Sequence, residues 1–555
     1  MSEKKLSIQM KQNALPIPLL IVLASIILFI PFLGSVHLFD WDEVNFAEAS
    51  REMLITHDYS IPQINFQPFW EKPPLFFWFQ VISMKIFGVN EFASRFPNAV
   101  CGIFTLLILY RLGKNIMDKA FGVLWALVYA GSLLPHFYFK SGIIDPWFNL
   151  FIFLAVYQFF KYTDFDGTRN RLNIALAGLY CGLAVMTKGP VALLILGLTY
   201  GVFMLLHRFR HFIRFSDILL FLAIACAIGG LWFLALLVKG QEHVIKEFIV
   251  YQIRLFQTED ADHGGPFFYH FVILLLGCFP AAALSILSMR TKSIGKNKSG
   301  QFHRWMLIMF WVVLILFSIV KTKIVHYSSL CYFPLSFLAT LTCYDMIQGR
   351  LRLPVWNRLL EIITGLLLAT ALIGITFIDK LKPWLLEPGR IQDEFARANL
   401  EANVPWSGFE ILPGLIILTG VILFSIYIKR KPGHAIVGIF ICSLIGTNLA
   451  TAMIAPKVEP YSQGAAIEFY QSKQNELAVI EPLNFKSYAH LFYAKRPADL
   501  GGIKEDDVFT NKVPPGVNAY CVIKIQNAKT YEARYPQMKK LYAKNGFVFY
   551  KARGD

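Results

Sequence analysis

The chain has 555 residues, 55% of them hydrophobic and only 16% charged. Soluble domains carry about 25% charge, so the composition argues against a soluble globular protein. The net charge of +16 sits in short loops between apolar runs, which points to membrane orientation and anionic lipid rather than to nucleic acid.

Apolar runs of about 20 residues recur along most of the chain, the pattern of a polytopic α-helical membrane protein. The basic start (Lys4, Lys5, Lys11) and the run from Leu15 to Leu33 resemble a signal peptide. The run is long and no small-residue cleavage site precedes Asp40, so it reads as an uncleaved first span, about 15–37. Twelve more segments follow by hydropathy, at about 92–112, 118–138, 143–161, 172–187, 190–206, 216–238, 267–289, 304–320, 327–347, 357–378, 410–428 and 433–454. With the N-terminus in the cytoplasm, the short basic loops (111–119, 161–171, 207–214, 290–304, 349–358 and 429–431) all fall on the cytoplasmic side. The opposite face receives the long loop 38–91, Asp145, Lys188, the loops 239–266 and 379–409, and the tail.

Domains are therefore expected at 1–455, in the membrane, and at 456–555, outside it. In the tail, ELAVIEP, AYCVIKIQ and GFVFYKAR read as strands, and SQGAAIEFYQSK and AKTYEARYPQMKK as helices, giving a small α/β domain. Seven of the eight cysteines fall in apolar spans and Cys521 stands alone in the tail; without a CxxC, neither a disulfide framework nor a zinc finger is indicated.

The chemistry gathers on the outer face. Asp40, Asp42 and Glu43 stand at the mouth of the first span, ahead of an apolar periodicity (Val44, Ala47, Met53, Leu54) that predicts an amphipathic helix in the interface. Glu71-Lys72-Pro73-Pro74 precedes a second such helix, its prolines suiting a helix start. Asp145 opens the fourth span, where it could pair with Asp42 or simply cap a helix. Lys188 is the one charge in the apolar hairpin MTKGPVALL, and Gly189-Pro190 keeps the backbone open to an anion. His263 lies in DADHGGPFFYH, where a nearby carboxylate would suit zinc. Lys321, Lys323 and Tyr327 line another outer turn able to hold a lipid phosphate. No P-loop, GxGxxG, HExxH or GxSxG occurs. Acids, cations and long apolar walls on one face suit an anionic, lipid-linked substrate entering from the bilayer.

The acidic DE pair with its helix, then EKPPL, IDP, TKGP, HGGPFFY and the Lys323–Tyr327 turn together resemble the polytopic glycosyltransferases that use polyprenyl-phosphate sugars and share the GT-C fold. The closest likeness is to the 4-amino-4-deoxy-L-arabinose lipid A transferases, which resemble protein O-mannosyltransferases in turn. The resemblance covers about residues 15–455. It implies Asp42 and Asp145 as catalytic acids, and Lys72, Lys188, Lys323 and Tyr327 as donor-phosphate contacts. It implies Glu71 and His263 as holders of a divalent metal such as zinc. A polyprenyl-phosphate sugar would be the donor, lipid A or a protein Ser/Thr the acceptor, and the bacterial inner membrane the location, with the site facing the periplasm. One departure stands out: where the aminoarabinose enzymes often carry an aromatic hydroxyl before EKPP, this chain has Phe69-Trp70. A lipid or sugar transporter is the alternative from another class; it would place its ionisable residues at the midplane in broken helices.

Overall fold

A computed structural model describes residues 15–163, 170–209, 212–257, 264–290, 297–510 and 512–552. The chain is a polytopic α-helical membrane protein with a small C-terminal α/β domain. Every segment expected to span carries helix. In chain order these helices and the ones between them are α1 (Ile17–Phe29), α2 (Asp42–Thr56), α3 (Leu75–Phe87), α4 (Glu91–Ile116), α5 (Lys119–Ala130), α6 (Leu133–Tyr138), α7 (Asp145–Thr163), α8 (Arg171–Lys188) and α9 (Val191–Leu206). There follow α10 (Phe215–Gly229), α11 (Leu231–Val238), α12 (Glu242–Gln257), α13 (Tyr269–Gly277), α14 (Ala281–Met289), α15 (Lys298–Ile319), α16 (Tyr332–Ile347), α17 (Val355–Thr376), α18 (Leu412–Tyr427) and α19 (Pro432–Met453).

Not all thirteen expected spans are single straight helices. Among the described residues six helices are long and apolar enough to cross a bilayer, or eight if each bent pair is one span. The expected seventh span bends by 49° between α10 and α11, and the eighth by 115° between α13 and α14. The breaks fall at Gly229-Gly230 and between Gly277 and Pro280, residues that weaken or interrupt a helical ladder. Parts of three expected basic loops, 164–169, 210–211 and 291–296, lie outside the described residues.

The interfacial setting expected for α2 is corrected. Every side chain from Glu43 to Met53 is buried. The cause is the C-terminal domain: Val44 and Ala47 of α2, with Leu38, Met84 and Ala93, share one apolar core with Ile467, Phe469, Ile480, Tyr520, Val522 and Phe549. A helix covered on one side by a membrane bundle and on the other by a soluble domain has no lipid face. Its charges are paired accordingly. Glu43 and Arg95 form a two-point ion pair at 2.7 and 3.0 Å, and Arg95 also donates to the carbonyls of Leu33, Val36 and His37. By contrast α3 keeps an exposed apolar face: Phe76, Phe77 and Val81 are buried while Ile82 and Ile86 are exposed.

The C-terminal sheet has four strands, β3 (Ala478–Leu483), β4 (Asn518–Lys524), β5 (Lys539–Lys544) and β6 (Phe547–Lys551), in the order β3-β4-β6-β5; β1 (Gln63–Ile64) and β2 (Gln67–Pro68) form a small hairpin in the first loop. β3 and β4 are parallel and the other pairs antiparallel. The helices expected in the tail are present, but the second ends at Arg534 and the chain continues into the edge strand β5. The turn that pairs β5 with β6 is Asn545-Gly546, both at positive φ, a strong hairpin signal.

Candidate active site

A cavity of about 440 Å³ lies where the ends of several helices meet the first loop. Asp42 and Asp145 are the first residues of α2 and α7, so each carboxylate sits at a helix N-terminus. Asp145 is almost wholly buried, while about a third of the Asp42 side chain is open to the cavity. Lys188 closes α8. Gly189 then takes φ +95°, a conformation that strains a residue with a Cβ, and Pro190 turns the chain into α9. The Lys188 ammonium consequently lies 2.5 Å from Asp145 Oδ1 and 5.0 Å above the Tyr327 ring.

His326 ties the two acids together. Its Nε2 is 3.0 Å from Asp42 Oδ2 and 3.8 Å from Asp145 Oδ2, close enough to feel both charges but too far from Asp145 for a hydrogen bond. The segment carrying it is fixed from behind. Asn149 of α7 donates to the Tyr138 and Ser329 hydroxyls at 2.7 and 2.8 Å, and Ser329 donates to the His326 carbonyl. Burial alone would raise the Asp42 carboxyl, but the hydrogen bond and charge of His326, with the charges of Lys72 and Lys188, hold it down at about 2.

The EKPP motif faces the same cavity. Lys72 lies 5.0 Å over the Tyr251 ring of α12 and makes no ion pair among the described residues; Glu71 accepts from the Tyr251 hydroxyl at 3.0 Å. Leu134, Phe137, Phe148, Val191 and Phe317 supply apolar wall. Of the residues singled out from the sequence, Asp42, Asp145, Glu71, Lys72, Lys188 and Tyr327 thus converge on one cavity.

One of the implied phosphate contacts does not join them. Lys323 does not line the cavity: its ammonium, pushed below its ordinary value by burial, donates to the carbonyls of Phe317, Ser318 and Val320 and so caps the end of α15. His263 lies outside the described residues. Among the described residues no three His, Cys, Asp or Glu side chains converge as a metal would require, and the Glu71 carboxylate already accepts from Tyr251. Among the described residues no donor set fits a zinc site.

His326 and Tyr251 were not among the candidates. His326 stands next to Tyr327 in the same motif, but nothing in its spacing marks it. Tyr251 had a signal: Val244, Phe248 and Tyr251 recur at helical intervals and are all buried, so the 239–266 segment carries a helix, α12, rather than a plain loop.

Residues 71–233 match the family described as dolichyl-phosphate-mannose-protein mannosyltransferase. The chain is 30% identical over 343 residues to the undecaprenyl phosphate-alpha-4-amino-4-deoxy-L-arabinose arabinosyl transferase of Photorhabdus laumondii, a match covering 61% of this chain and 62% of that relative. It is 27% identical over 453 residues to the enzyme of the same name from Pectobacterium carotovorum, covering 79% and 76% of the two chains. Among solved structures it resembles ArnT from Cupriavidus metallidurans bound to undecaprenyl phosphate, with TM-score 0.75, 17% identity, and 97% and 99% of the two chains covered. The fold is GT-C-like, and in sequence the chain stands close to the aminoarabinose transferases.

Proposed function

We propose that this chain is an integral-membrane glycosyltransferase that moves a sugar, aminoarabinose or one like it, from a polyprenyl-phosphate donor to a lipid A phosphate at the periplasmic face of a bacterial inner membrane. The observation that carries the reading is the convergence of Asp42, Asp145, His326, Lys188 and Lys72 around one otherwise largely apolar cavity. The named activities of the similar arabinosyl transferases support it.

In this reading the polyprenyl chain lies along the apolar wall and its phosphate sits between Lys72, Lys188 and Tyr327. Lys188 has three N–H donors and its pair with Asp145 uses one. As the bond from anomeric carbon to phosphate oxygen breaks, negative charge grows on the phosphate and positive charge on the sugar. Donors already in place at the phosphate lower that barrier without reorganising. Asp42 faces the sugar side. A carboxyl held at about 2 is a weak base, poor at stripping a hydroxyl of its proton, but it is ionised throughout the neutral range and can balance charge at the anomeric carbon. A phosphate acceptor arrives already ionised and needs no stronger base. That favours lipid A phosphate over a Ser or Thr hydroxyl, the runner-up. Asp145 acts through its neighbours, orienting Lys188 and His326.

The test is mass analysis of lipid A and of periplasmic glycoproteins from a strain lacking the chain. Loss of a sugar mass from lipid A with unchanged glycoproteins is expected. Loss from glycoproteins alone would transfer the assignment to protein O-glycosylation.

A further inference from the structure

The 115° bend between α13 and α14 lays α13 behind the segment that carries His326. The bend is pinned against α6. The Leu133 amide donates to the Phe279 carbonyl at 3.0 Å, and a Cβ at Gly277 would lie 2.1 Å from Leu134 Cδ1, so only glycine allows this approach. Leu134 is itself a wall of the cavity. α13 turns His270, Leu274 and Gly277 toward the protein and leaves Phe271 and Val272 exposed, the one-sided pattern of a helix at the edge of a bundle.

His270 is fully buried, and its Nδ1 lies 3.1 Å from Ser328 Oγ. Ser328 is also buried. It stands just beyond His326 and Tyr327 in the short helical turn Val325–Cys331, and its Oγ has the Val325 carbonyl at 3.5 Å as a second neighbour. His270 Nε2 makes no hydrogen bond among the described residues. That selects the tautomer. A proton on Nε2 would leave an N–H buried without an acceptor. A proton on Nδ1 lets the ring donate to Ser328 and Ser328 donate to Val325, and leaves only a lone pair bare, the cheaper of the two. His270 does not line the cavity, and the charged groups that act on it are Lys323 and His326.

The turn is therefore held from several sides. Lys323 fastens the chain ahead of it to the end of α15, Asn149 of α7 holds Ser329, and His270 of α13 holds Ser328. What the turn presents is sensitive to its position. His326 Nε2 is 3.0 Å from Asp42, and a retreat of about half an ångström would take it past hydrogen-bond reach.

We infer that His270 is a positioning residue of the transfer reaction: its hydrogen bond to Ser328 sets the turn so that His326 meets Asp42 and the Tyr327 ring lies beneath Lys188. The inference rests on the glycosyl-transfer reading above. His270 touches neither substrate nor reacting atoms; it acts through Ser328 and His326.

Full-length enzyme in vesicles, supplied with a polyprenyl-phosphate sugar and a lipid acceptor, tests this by separating the volume of the ring from its hydrogen bond. His270→Phe keeps the volume and loses the donor, whereas His270→Asn loses volume and keeps an N–H near the place of Nδ1. His270→Phe should lower kcat about tenfold, the upper range for one hydrogen bond. Donor KM should stay within about threefold, because Lys72 and Lys188 stand on other elements. The acid limb of the pH–rate profile should move upward, since Asp42 faces His326, Lys72 and Lys188 and loses the first of them. His270→Asn should keep kcat within about threefold of wild type, with the wild-type pH profile. Ser328→Ala should reproduce His270→Phe, and the two together should lose no more than either alone. Hydrogen exchange of the 325–331 backbone, read without substrate, should quicken in His270→Phe and Ser328→Ala and not in His270→Asn. Wild-type kcat and pH profile in both His270→Phe and Ser328→Ala would overturn the inference, as would a defect in His270→Asn with none in His270→Phe, which is the mark of packing alone. If the wild-type enzyme transfers no sugar, the glycosyl-transfer reading fails, and the exchange comparison still decides whether His270 holds the turn.

Discussion

A single helix, α2, carries buried charge of two kinds. At its start, Asp42 lies 3.0 Å from His326 and is partly open to a cavity. Two turns on, Glu48 takes a two-point hydrogen bond from Arg51 at 2.6 and 2.7 Å, and Glu52 accepts from the Phe66 amide at 2.7 Å. Burial, and then Glu48, push the Glu52 carboxyl up to about 9, so it keeps its proton and the cluster is neutral. The first group leaves carboxylate and ammonium valences facing space for a ligand; the second closes on itself. Burial of charge is therefore common to both groups, and open valence toward a cavity is what sets the candidate site apart.

Substitutions sharpen that contrast, beginning with the largest expected effect. Asp42→Asn should lower transfer about 10²–10⁴-fold, the range for loss of a positioned acid or base, with thermal stability unchanged. Arg95→Ala leaves Glu43 buried and unpaired and should cost about 3–5 kcal/mol of stability, read as loss of folded yield in detergent. His326→Gln should lower transfer about tenfold at neutral pH and move the acid limb of the pH–rate profile upward. The sign follows from Asp42: its pKa is held down mainly by His326, so the wild-type carboxylate is lost only as pH falls toward 2, whereas without that partner it is protonated at higher pH. Glu52→Gln should leave stability at pH 4 unchanged and raise it by about 3–5 kcal/mol near pH 8. Because the folded-state pKa of Glu52 is raised, its contribution is full below the unfolded value and is lost as pH climbs toward 9, and a neutral amide removes that loss. Lys323→Met should change transfer by less than about threefold, since Lys323 caps a helix end.

The sequence carried what depends on local order. Helix-forming segments were legible from hydropathy, and the motifs EKPP, IDP and TKGP from charges placed at span ends, where a carboxylate or ammonium is costly unless it has a role. The contacts between distant segments were not legible. Periodicity shows that α2 has an apolar face but not that the C-terminal domain covers its other side, so the helix read as interfacial. His326 joins Asp42 across 284 positions through a turn whose geometry is set by Asn149 and Ser329, and no local spacing announces that. Lys323 shows the reverse: its spacing to Tyr327 matched the pattern, yet the unpaired carbonyls at the end of α15 take its ammonium.

In the proposed reaction the acids and cations of the cavity serve opposite ends of one transfer. Polyprenyl-phosphate binding and radiolabelled-sugar transfer, measured side by side on Asp42→Asn and Lys72→Ala, test it most directly. Asp42→Asn should bind polyprenyl phosphate as the wild type does and transfer sugar about 10²–10⁴-fold more slowly, while Lys72→Ala should lose both binding and transfer. Wild-type transfer by both variants, in folded and membrane-inserted protein, would contradict it.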